Sequence, residues 1–360
     1  MSPQRKIRVL LVDDSLFMRV AIKRLVESDD RFEVVGEAKD GEGGVQLVLD
    51  LSPDVVTMDV NMPNMNGVAA VTEIMRVRPT PVLMLSAHTQ DGARVTLEAL
   101  AAGAVDFLAK PSGEVSVDLQ AIAAPLHAKL AQAAQANTRA FVSISSPSPA
   151  PTRRPSRPAR PATPSRPPMT TDRYFPIVVI GVSAGGPSAL ARVLPRLPGR
   201  SDLSIIVVQH MPEHFTGALA ERLDGMSAIR VVEARTEDRL RTGVAYVARG
   251  DKHLEVQSNG RLALTDGPTV HGCRPSVDMT MRSVAKAFGK RVVGVILTGM
   301  GRDGADGMAE IQRAGGRTIA QDEATSVIYG MPRVAAEQGV VDEVVPLDEI
   351  ATRLLDREQR

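Results

Sequence analysis

The sequence predicts an α/β fold class, with two doubly wound parallel-sheet domains joined by a flexible linker. Residues 1–134 and 174–360 both alternate short apolar runs with segments of helical spacing. This alternation is typical of parallel sheets that carry helices on both faces. Residues 135–173 are rich in Pro and Arg and contain no acidic residue before Asp172. Such a composition cannot bury a core and predicts a mobile linker, whose arginines we interpret as solvated charges rather than a nucleic-acid contact.

The composition narrows the class of protein. The 360 residues are 43% hydrophobic but only 3% aromatic, with no Trp, so the cores of two ordinary domains must be aliphatic. A net charge of +1 gives no bias toward nucleic acid. The single cysteine, Cys273, excludes an intrachain disulfide and a cysteine-based zinc site, and it fits a reducing compartment. Met1–Lys6 lacks the apolar core of a signal peptide, and no run approaches the roughly 18 apolar residues of a membrane span, so we expect a cytoplasmic protein.

Five apolar runs in the first domain predict five parallel strands, each followed by a helix. They are Val9–Val12, Val34–Ala38, Val55–Met58, Val82–Leu85 and Asp106–Ala109. The carboxyl ends of such strands meet at one edge of the sheet, where these folds place their sites. Polar side chains stand at four of these ends, namely Asp13 with Asp14, Asp59, Ser86 and Lys110.

These polar residues are of the types found at a site where one carboxylate accepts a phosphoryl group. The carboxylates of Asp13, Asp14 and Asp59 repel one another unless a divalent cation lies among them, and oxygen ligands of this kind suit Mg²⁺. We predict Asp59 as the phosphoacceptor because it ends the central strand. Ser86 and Lys110 are predicted to hold the phosphoryl oxygens.

The first domain resembles the receiver domain of two-component response regulators. The resemblance rests on Val12-Asp13-Asp14-Ser15, Met58-Asp59-Val60-Asn61-Met62-Pro63, Gly67, Leu85-Ser86-Ala87 and Ala109-Lys110-Pro111. It implies a flavodoxin-like sheet, phosphorylation of Asp59 by a histidine kinase, and Mg²⁺ bound by the three carboxylates.

The second domain repeats the alternation and is predicted to be Rossmann-like, with a β-hairpin excursion. The predicted strands are Ile177–Val182, Ile205–Val208, Val244–Ala248, His253–Val256, Leu262–Leu264 and Val292–Leu297. The predicted helices are Ser188–Leu197, Phe215–Met226, Val277–Phe288 and Ala305–Ala314. The pair Asn259-Gly260 is a hairpin turn signal.

The turn after the first of these strands fits a nucleophile elbow. Gly181-Val182-Ser183-Ala184-Gly185 has the G-x-S-x-G pattern, which exposes a serine hydroxyl at the end of a strand. Pro187 stands where a first helical turn tolerates proline. The pattern is short, and a glycine-rich turn with an incidental serine is the alternative.

A serine nucleophile needs a base and a carboxylate that orients it. His210 directly follows a predicted strand, and Asp303 follows another, so both are predicted at the edge that carries Ser183. His253 could line the same site, whereas His214 and His271 have weaker cases. The order Ser, His, Asp differs from that of α/β-hydrolases, so the elbow does not imply that fold.

Backbone N–H groups near the serine are predicted to stabilise an oxyanion. The candidates are those of the Ala184–Gly186 turn, including Gly185, and that of Met300.

One loop allows a different interpretation. Gly299-Met-Gly301-Arg-Asp-Gly304 matches G-x-G-x-x-G between a strand and a helix, and Asp322 and Glu323 lie some twenty residues on. That order is typical of dinucleotide binding. This hypothesis leaves Ser183 and His210 unexplained.

The second half resembles the catalytic domain of the chemotaxis protein-glutamate methylesterase/glutaminase family, CheB. The motifs are Ile180-Gly-Val-Ser183-Ala-Gly-Gly186, Gln209-His210-Met211-Pro212, Gly250-Asp-Lys-His253, Arg274-Pro-Ser276-Val-Asp278, Leu297-Thr-Gly-Met-Gly301-Arg-Asp303-Gly304 and Tyr329-Gly-Met331-Pro332. The sequence departs from the family at Ala184, where Thr or Ser is often found, and its linker looks longer than the family requires.

This resemblance implies a hydrolase that demethylates glutamyl methyl esters on the cytoplasmic helices of methyl-accepting chemotaxis receptors and deamidates receptor glutamines. It makes Ser183 the nucleophile, His210 the base and Asp303 its orienting partner. A histidine kinase of the chemotaxis system is the implied phosphodonor, and hydrolysis needs no cofactor. We expect a monomer that binds no nucleic acid and does not insert into the membrane. A response regulator with a non-catalytic output domain is the alternative.

Overall fold

The computed structural model describes residues 5–86, 89–110, 122–142 and 175–356. Within these residues the chain forms a five-stranded sheet, a seven-stranded sheet and a two-stranded hairpin. This architecture confirms the predicted fold class. Most of the predicted linker, residues 143–173, lies outside the described residues. No helix in the described ranges is both long and apolar enough to cross a membrane.

The first domain is a parallel sheet with helices on both faces. Its strands are Ile7–Val12 (β1), Phe32–Ala38 (β2), Val55–Asp59 (β3), Val82–Ser86 (β4) and Asp106–Ala109 (β5). Its helices are Leu16–Glu27 (α1), Gly41–Leu51 (α2), Gly67–Val77 (α3), Gln90–Ala102 (α4), Ala123–Ala133 (α5) and Arg139–Val142 (α6). The strand order is β2-β1-β3-β4-β5, so β3 is central, and all five of its residues are buried.

Side chains cap the N-termini of the first four helices of this domain. Ser15, Asp40, Asn66 and Thr89 each accept a hydrogen bond from the backbone N–H three residues on. Such caps satisfy a helix N–H that has no partner inside the helix. The cap at Ser15 comes directly after Asp13 and Asp14, so α1 begins as soon as those carboxylates have left the sheet.

The second domain is a seven-stranded parallel sheet with an added antiparallel hairpin. Its strands are Ile177–Val182 (β6), Ser204–Gln209 (β7), Arg230–Glu233 (β8), Val244–Val247 (β9), His253–Val256 (β10), Leu262–Thr265 (β11), Val292–Ile296 (β12), Arg317–Gln321 (β13) and Glu343–Val345 (β14). Its helices are Gly186–Val193 (α7), Glu213–Met226 (α8), Val277–Phe288 (α9), Ala305–Arg313 (α10), Met331–Glu337 (α11) and Leu347–Leu355 (α12). β10 and β11 form the predicted hairpin.

The strand order of the larger sheet creates a crevice beside β6. That order is β14-β13-β12-β6-β7-β9-β8, so β6 lies between β12 and β7. The chain runs from β6 to β7 on one side and returns to β12 on the other. Ligands of doubly wound sheets bind at such a reversal, outside the carboxyl ends of the strands.

The receiver-like domain packs against the second domain through α4 and β5. The rings of Phe107 and Phe215 lie with their centroids 4.2 Å apart and tilted by 33°. The Ser188 hydroxyl donates a hydrogen bond to the Leu100 carbonyl at 2.7 Å. Since Ser188 lies in the first turn of α7, the first domain lies close to the serine turn.

The structure corrects the predicted linker boundary at residue 135. Helix α6 follows α5 after a short turn, and the side chains of Ala140 and Phe141 are buried. The Asn137 N–H donates to the Val327 carbonyl of the second domain at 2.8 Å. Residues 135–142 therefore belong to the folded structure, because their apolar side chains find surface to bury.

Candidate active site

Ser183 directly follows β6 at the carboxyl edge of the sheet. Its N–H donates to the Thr298 carbonyl at 3.0 Å, and the Thr298 hydroxyl donates to the Ala184 carbonyl at 3.0 Å. Thr298 follows β12, so the serine turn is tied to the neighbouring strand. The Ser183 residue is half-buried, which leaves it on the wall of the crevice rather than in the core.

Glycine is required at two positions of the turn. Gly185 has a φ of +75°, a conformation that favours glycine, and a Cβ there would lie 2.7 Å from the Val327 side chain. A Cβ on Gly186 would lie 2.0 Å from Oε1 of Gln209. Gln209 donates from Nε2 to the Ser183 carbonyl at 2.9 Å. These close approaches give the predicted elbow its sharp turn.

Asp303 is a buried carboxylate with four hydrogen-bond donors. It accepts from the Ser276 hydroxyl at 2.8 Å, the Val277 N–H at 2.7 Å, the Asp278 N–H at 3.0 Å and Nε2 of His210 at 2.8 Å. Burial works to raise the pKa of Asp303. The His210 ring and the N–H groups at the start of α9 outweigh that effect and lower its pKa to about 2. Asp303 is therefore ionised at neutral pH.

His210 is held between Asp303 and Cys273. Its Nε2 pairs with Asp303, and its Nδ1 lies 3.5 Å from Sγ of Cys273. Burial works to lower the pKa of His210, but hydrogen bonding to Asp303 and Cys273 outweighs it and raises the pKa to about 9. Because the carboxylate takes Nε2, Nδ1 is the nitrogen left to act as a base.

The structure brings Ser183, His210 and Asp303 to one edge, as predicted. Only one of the two hydrogen bonds of a catalytic triad is present, however, namely the bond between His210 and Asp303. In the described part of the chain no hydrogen bond joins the Ser183 hydroxyl to His210. Catalytic hydrogen bonds are often long before substrate binds, so this gap does not exclude a base role for His210.

The predicted oxyanion donors fall into two groups. The Gly185 N–H donates to the Val105 carbonyl of the first domain at 3.0 Å. The prediction that this N–H is free to stabilise an oxyanion is therefore wrong for this arrangement of the two domains. Among the described residues, the N–H groups of Ala184 and Met300 have no hydrogen-bond acceptor. Those two groups remain available to a developing oxyanion.

His253 does not line the crevice, contrary to the prediction. Its side chain is fully buried, its Nε2 hydrogen-bonds to the Pro268 carbonyl at 2.9 Å, and its Nδ1 accepts from the Ser276 N–H at 3.2 Å. Ser276 in turn donates to Asp303, so His253 supports the carboxylate from behind. The residues that connect His253 to Asp303 lie in the sequence motif Arg274-Pro-Ser276-Val-Asp278, but the motif alone did not indicate this role.

A cavity of about 460 Å³ opens beside His210. It is lined by His210, Met211, Pro212, Glu213, His214, Asp251, Gly272, Cys273 and Arg274. Cys273, which no prediction assigned to the site, is half-buried on this wall. It stands 63 residues from His210 in sequence, and no local pattern indicated that the two side chains meet.

The first domain brings the predicted phosphorylation residues together. Nζ of Lys110 lies 2.8 Å from Oδ2 of Asp13 and 2.6 Å from Oδ1 of Asp59. Burial raises the pKa of Asp59, and the neighbouring Asp13 adds to that effect, while Lys110 opposes it. Ser86 is fully buried, and its hydroxyl accepts a hydrogen bond from the Thr96 hydroxyl in α4 at 2.6 Å.

The three carboxylates of this site fit Mg²⁺. Oxygen atoms of Asp13, Asp14 and Asp59 lie within 4.8 Å of one another, and Asp13 and Asp59 are buried. Lys110 is the cation that the structure places against this group. A hard divalent cation prefers such oxygen ligands and offsets the mutual repulsion of the carboxylates.

Comparison with known proteins agrees with both domains. Residues 9–121 match the response regulator receiver domain family, and residues 178–354 match the CheB methylesterase family. A protein-glutamate methylesterase/protein-glutamine glutaminase from Symbiobacterium thermophilum is 50% identical, over 97% of this chain and 96% of that protein. One of the same name from Pyrococcus abyssi is 45% identical, over 96% and 92%. The crystal structure of the Thermotoga maritima CheB methylesterase catalytic domain is 40% identical and covers 50% of this chain and 97% of its own, with a TM-score of 0.49.

The fold and the two sites define a two-component response regulator with an enzymatic output domain. The chain belongs to the CheB family of protein-glutamate methylesterases/protein-glutamine glutaminases. This membership confirms both resemblances drawn from the sequence. It does not favour dinucleotide binding, and Asp303 of the glycine-rich loop is instead committed to His210.

Proposed function

We propose that this chain is a phosphorylation-activated hydrolase of the chemotaxis system. It removes methyl groups from glutamyl methyl esters of methyl-accepting receptors and deamidates receptor glutamines. The observation that carries this proposal is the ionised Asp303 on Nε2 of His210, at the strand edge that also carries Ser183. That arrangement supplies a base where the serine needs one.

The reaction is an acyl transfer in two stages. The Ser183 hydroxyl attacks the side-chain carbonyl carbon of the receptor residue, and Nδ1 of His210 takes the hydroxyl proton. The N–H groups of Ala184 and Met300 donate to the oxyanion that forms. His210 then returns the proton to the leaving methanol or ammonia. Water, activated by His210, releases the glutamate product, while Asp303 stabilises the imidazolium throughout.

The described contacts between the domains support a route for regulation. The Val105 carbonyl holds the Gly185 N–H, and α4 lies against the second domain. Within the first domain, Ser86 is hydrogen-bonded to Thr96 on α4. When the Ser86 hydroxyl donates instead to the phosphoryl group on Asp59, it leaves the Gly92 carbonyl in the first turn of α4, so α4 and β5 shift and the serine turn is released.

The phosphorylation chemistry belongs to the first domain alone. Asp13, Asp14 and Asp59 would hold Mg²⁺, which neutralises charge on the incoming phosphoryl group. Lys110 pairs with the phosphoryl oxygens once Asp59 is modified. The phosphodonor is a chemotaxis histidine kinase, and we place the enzyme in the cytoplasm, as a monomer, with residues 143–173 as the linker.

Two products test the assignment. Methanol released from a methylated receptor fragment measures esterase activity, and a mass increase of about 1 Da at receptor glutamines measures deamidation. Both require the same serine, so both must appear with the unmodified chain. Release of neither product from any methylated receptor would overturn the proposal.

A further inference from the structure

Cys273 takes no part in the proposed hydrolysis, yet it touches the catalytic histidine. Its Sγ lies 3.5 Å from Nδ1 of His210, the nitrogen that must accept the serine proton. The residue is half-buried on the wall of the 460 Å³ cavity, so small solutes reach it. It is also the only cysteine in the chain, from which the sequence predicted no cysteine-based zinc site. A mixed site of one thiolate and one imidazole needs no second cysteine, and the structure places His210 beside the thiol.

The 3.5 Å distance between Sγ of Cys273 and Nδ1 of His210 equals the distance between two ligand atoms of one tetrahedral metal ion. Zinc–sulfur and zinc–nitrogen bonds measure about 2.3 Å and about 2.0 Å. At a tetrahedral angle these bond lengths place the sulfur and nitrogen atoms about 3.5 Å apart. The observed separation therefore needs little rearrangement to admit a zinc ion.

Asp303 completes the arrangement without binding the ion itself. Ligand atoms of His210, Cys273 and Asp303 lie within 4.8 Å of one another, but Asp303 already accepts four hydrogen bonds. A histidine that binds a metal through one nitrogen commonly donates its other N–H to a carboxylate, which fixes the tautomer. With Asp303 on Nε2, Nδ1 is the ring nitrogen that faces Cys273.

We propose that Cys273 and His210 form an inhibitory site for Zn²⁺ or a similar thiophilic divalent cation. The thiol proton and the proton on Nδ1 both leave to solvent as the zinc–sulfur and zinc–nitrogen bonds form. Water fills the two remaining positions on the cavity side. Because the ion takes the lone pair that would accept the Ser183 proton, bound metal stops hydrolysis. The inhibition rests on the proposed function, whereas the metal site does not.

The receiver carboxylates do not offer the same chemistry. Asp13, Asp14 and Asp59 supply only oxygen ligands, which suit Mg²⁺, whereas thiolate and imidazole suit zinc. A metal bound at Cys273 is therefore separable from one bound at Asp59.

Cobalt(II) in excess Mg²⁺ tests the site on the full chain without any turnover. A thiolate bound to Co²⁺ gives a near-ultraviolet charge-transfer band, and this chain has a single cysteine that could produce it. We expect a saturable band that Zn²⁺ displaces. Absence of the band at saturating Co²⁺ would overturn the site.

Three variants and one matched control locate the ligands. Cys273→Ser should lose the band. Asp303→Asn should weaken Co²⁺ binding by about tenfold or more, as loss of an orienting carboxylate does. His214→Gln, on the same cavity wall, is the matched control and should bind as the unmodified chain does. Equal affinity in His210→Gln would contradict the proposal, because the thiol would then bind alone.

Methanol release then tests the inhibition separately. Zinc should abolish release by the full chain, a chelator should restore it, and Cys273→Ser should be less sensitive relative to its own metal-free rate. If the metal-free chain releases no methanol while the cobalt band forms, the proposed function fails and the metal site stands. If zinc saturates the site and hydrolysis continues, the inhibitory role is overturned.

Discussion

The two domains carry their reacting side chains at equivalent sheet edges but stabilise buried charge there in different ways. At the receiver edge, Asp59 and Asp13 share one lysine, and burial raises the pKa of Asp59. At the hydrolase edge, Asp303 has four donors and its pKa falls to about 2. The first edge gathers three carboxylates beside one lysine, whereas the carboxylate of the second is satisfied by four donors of its own domain.

This difference assigns different roles to the two edges. The receiver edge changes when a cation or a phosphoryl group joins it, so it suits a switch. The base and carboxylate of the hydrolase edge are hydrogen-bonded in advance, and we propose that activation changes the contact of Val105 with Gly185. Variants at the hydrolase edge should therefore affect the chemical step, and those at the receiver edge or interface should affect regulation.

The largest effect is expected from Ser183→Ala, which removes the nucleophile. Methanol release should fall by about 10⁶-fold, the loss typical of a deleted serine nucleophile. Ser258→Ala, on an exposed turn of the hairpin, is the matched control and should retain full activity. A Ser183→Ala chain with substantial turnover would contradict the assignment of the nucleophile.

Asp303→Asn should lower kcat by about 10⁴-fold, because the histidine loses the partner that fixes its tautomer. The half-buried Asp306→Asn, whose carboxylate pairs with Arg282 and Arg302 rather than with His210, is the control. The pH profile gives a second readout. His210 must be neutral to accept a proton, and its pKa of about 9 makes the rate rise with pH toward that value. Loss of the carboxylate lowers the pKa of His210, so the rising limb should move to lower pH.

Asp59→Asn should abolish stimulation by a phosphodonor and Mg²⁺, because no carboxylate remains to accept the phosphoryl group. The ratio of methanol release with and without the donor should fall to one. Asp50→Asn, an exposed carboxylate at the end of α2, should keep the stimulation of the unmodified chain. Persistent stimulation in Asp59→Asn would assign the phosphoacceptor elsewhere.

Phe107→Ala should raise the basal rate by up to about tenfold, since aromatic pairs contribute about 1 kcal/mol beyond their buried area. The ring of Phe107 holds β5 against Phe215 of α8. The fully phosphorylated rate should change much less, which separates relief of inhibition from general damage. An unchanged basal rate would mean that this contact does not hold the domain in place.

The smallest effect is expected from Arg94→Ala at the same interface. Arg94 and Glu221 form an exposed ion pair at 3.4 Å. Exposed pairs contribute little, so the basal rate should rise by about twofold at most, and less in high salt. A larger rise than that of Phe107→Ala would show that charge, rather than apolar packing, holds the two domains together.

Much of the hydrolase edge could be predicted from the sequence, because local sequence patterns indicate the strands and helices that form it. β6, β10 and α9 have their predicted bounds, and the residues after β6, β7 and β12 lie at one edge of the sheet. The short edge strands β8 and β14 carry weaker patterns and were not predicted. Long-range contacts had no local signal, so the hydrogen bond from Gly185 to Val105, the burial of His253 and the contact of Cys273 with His210 required the structure.

The receiver edge was predicted for a different reason. Its carboxylates stand directly at strand ends, and parallel strands of one sheet necessarily bring those ends together. The direction of the Ser86 hydroxyl, toward Thr96 on α4, does not follow from that argument. It depends on how α4 packs against β4.

The central claim is that Asp59 in one domain controls Ser183 in the other. The most direct measurement is the rate of methanol release by the full chain from a methylated receptor fragment, with and without a small-molecule phosphodonor in Mg²⁺. We expect a clearly higher rate with the donor, as phosphorylation frees the serine turn. Equal rates in a chain shown by mass spectrometry to be phosphorylated at Asp59 would contradict the account.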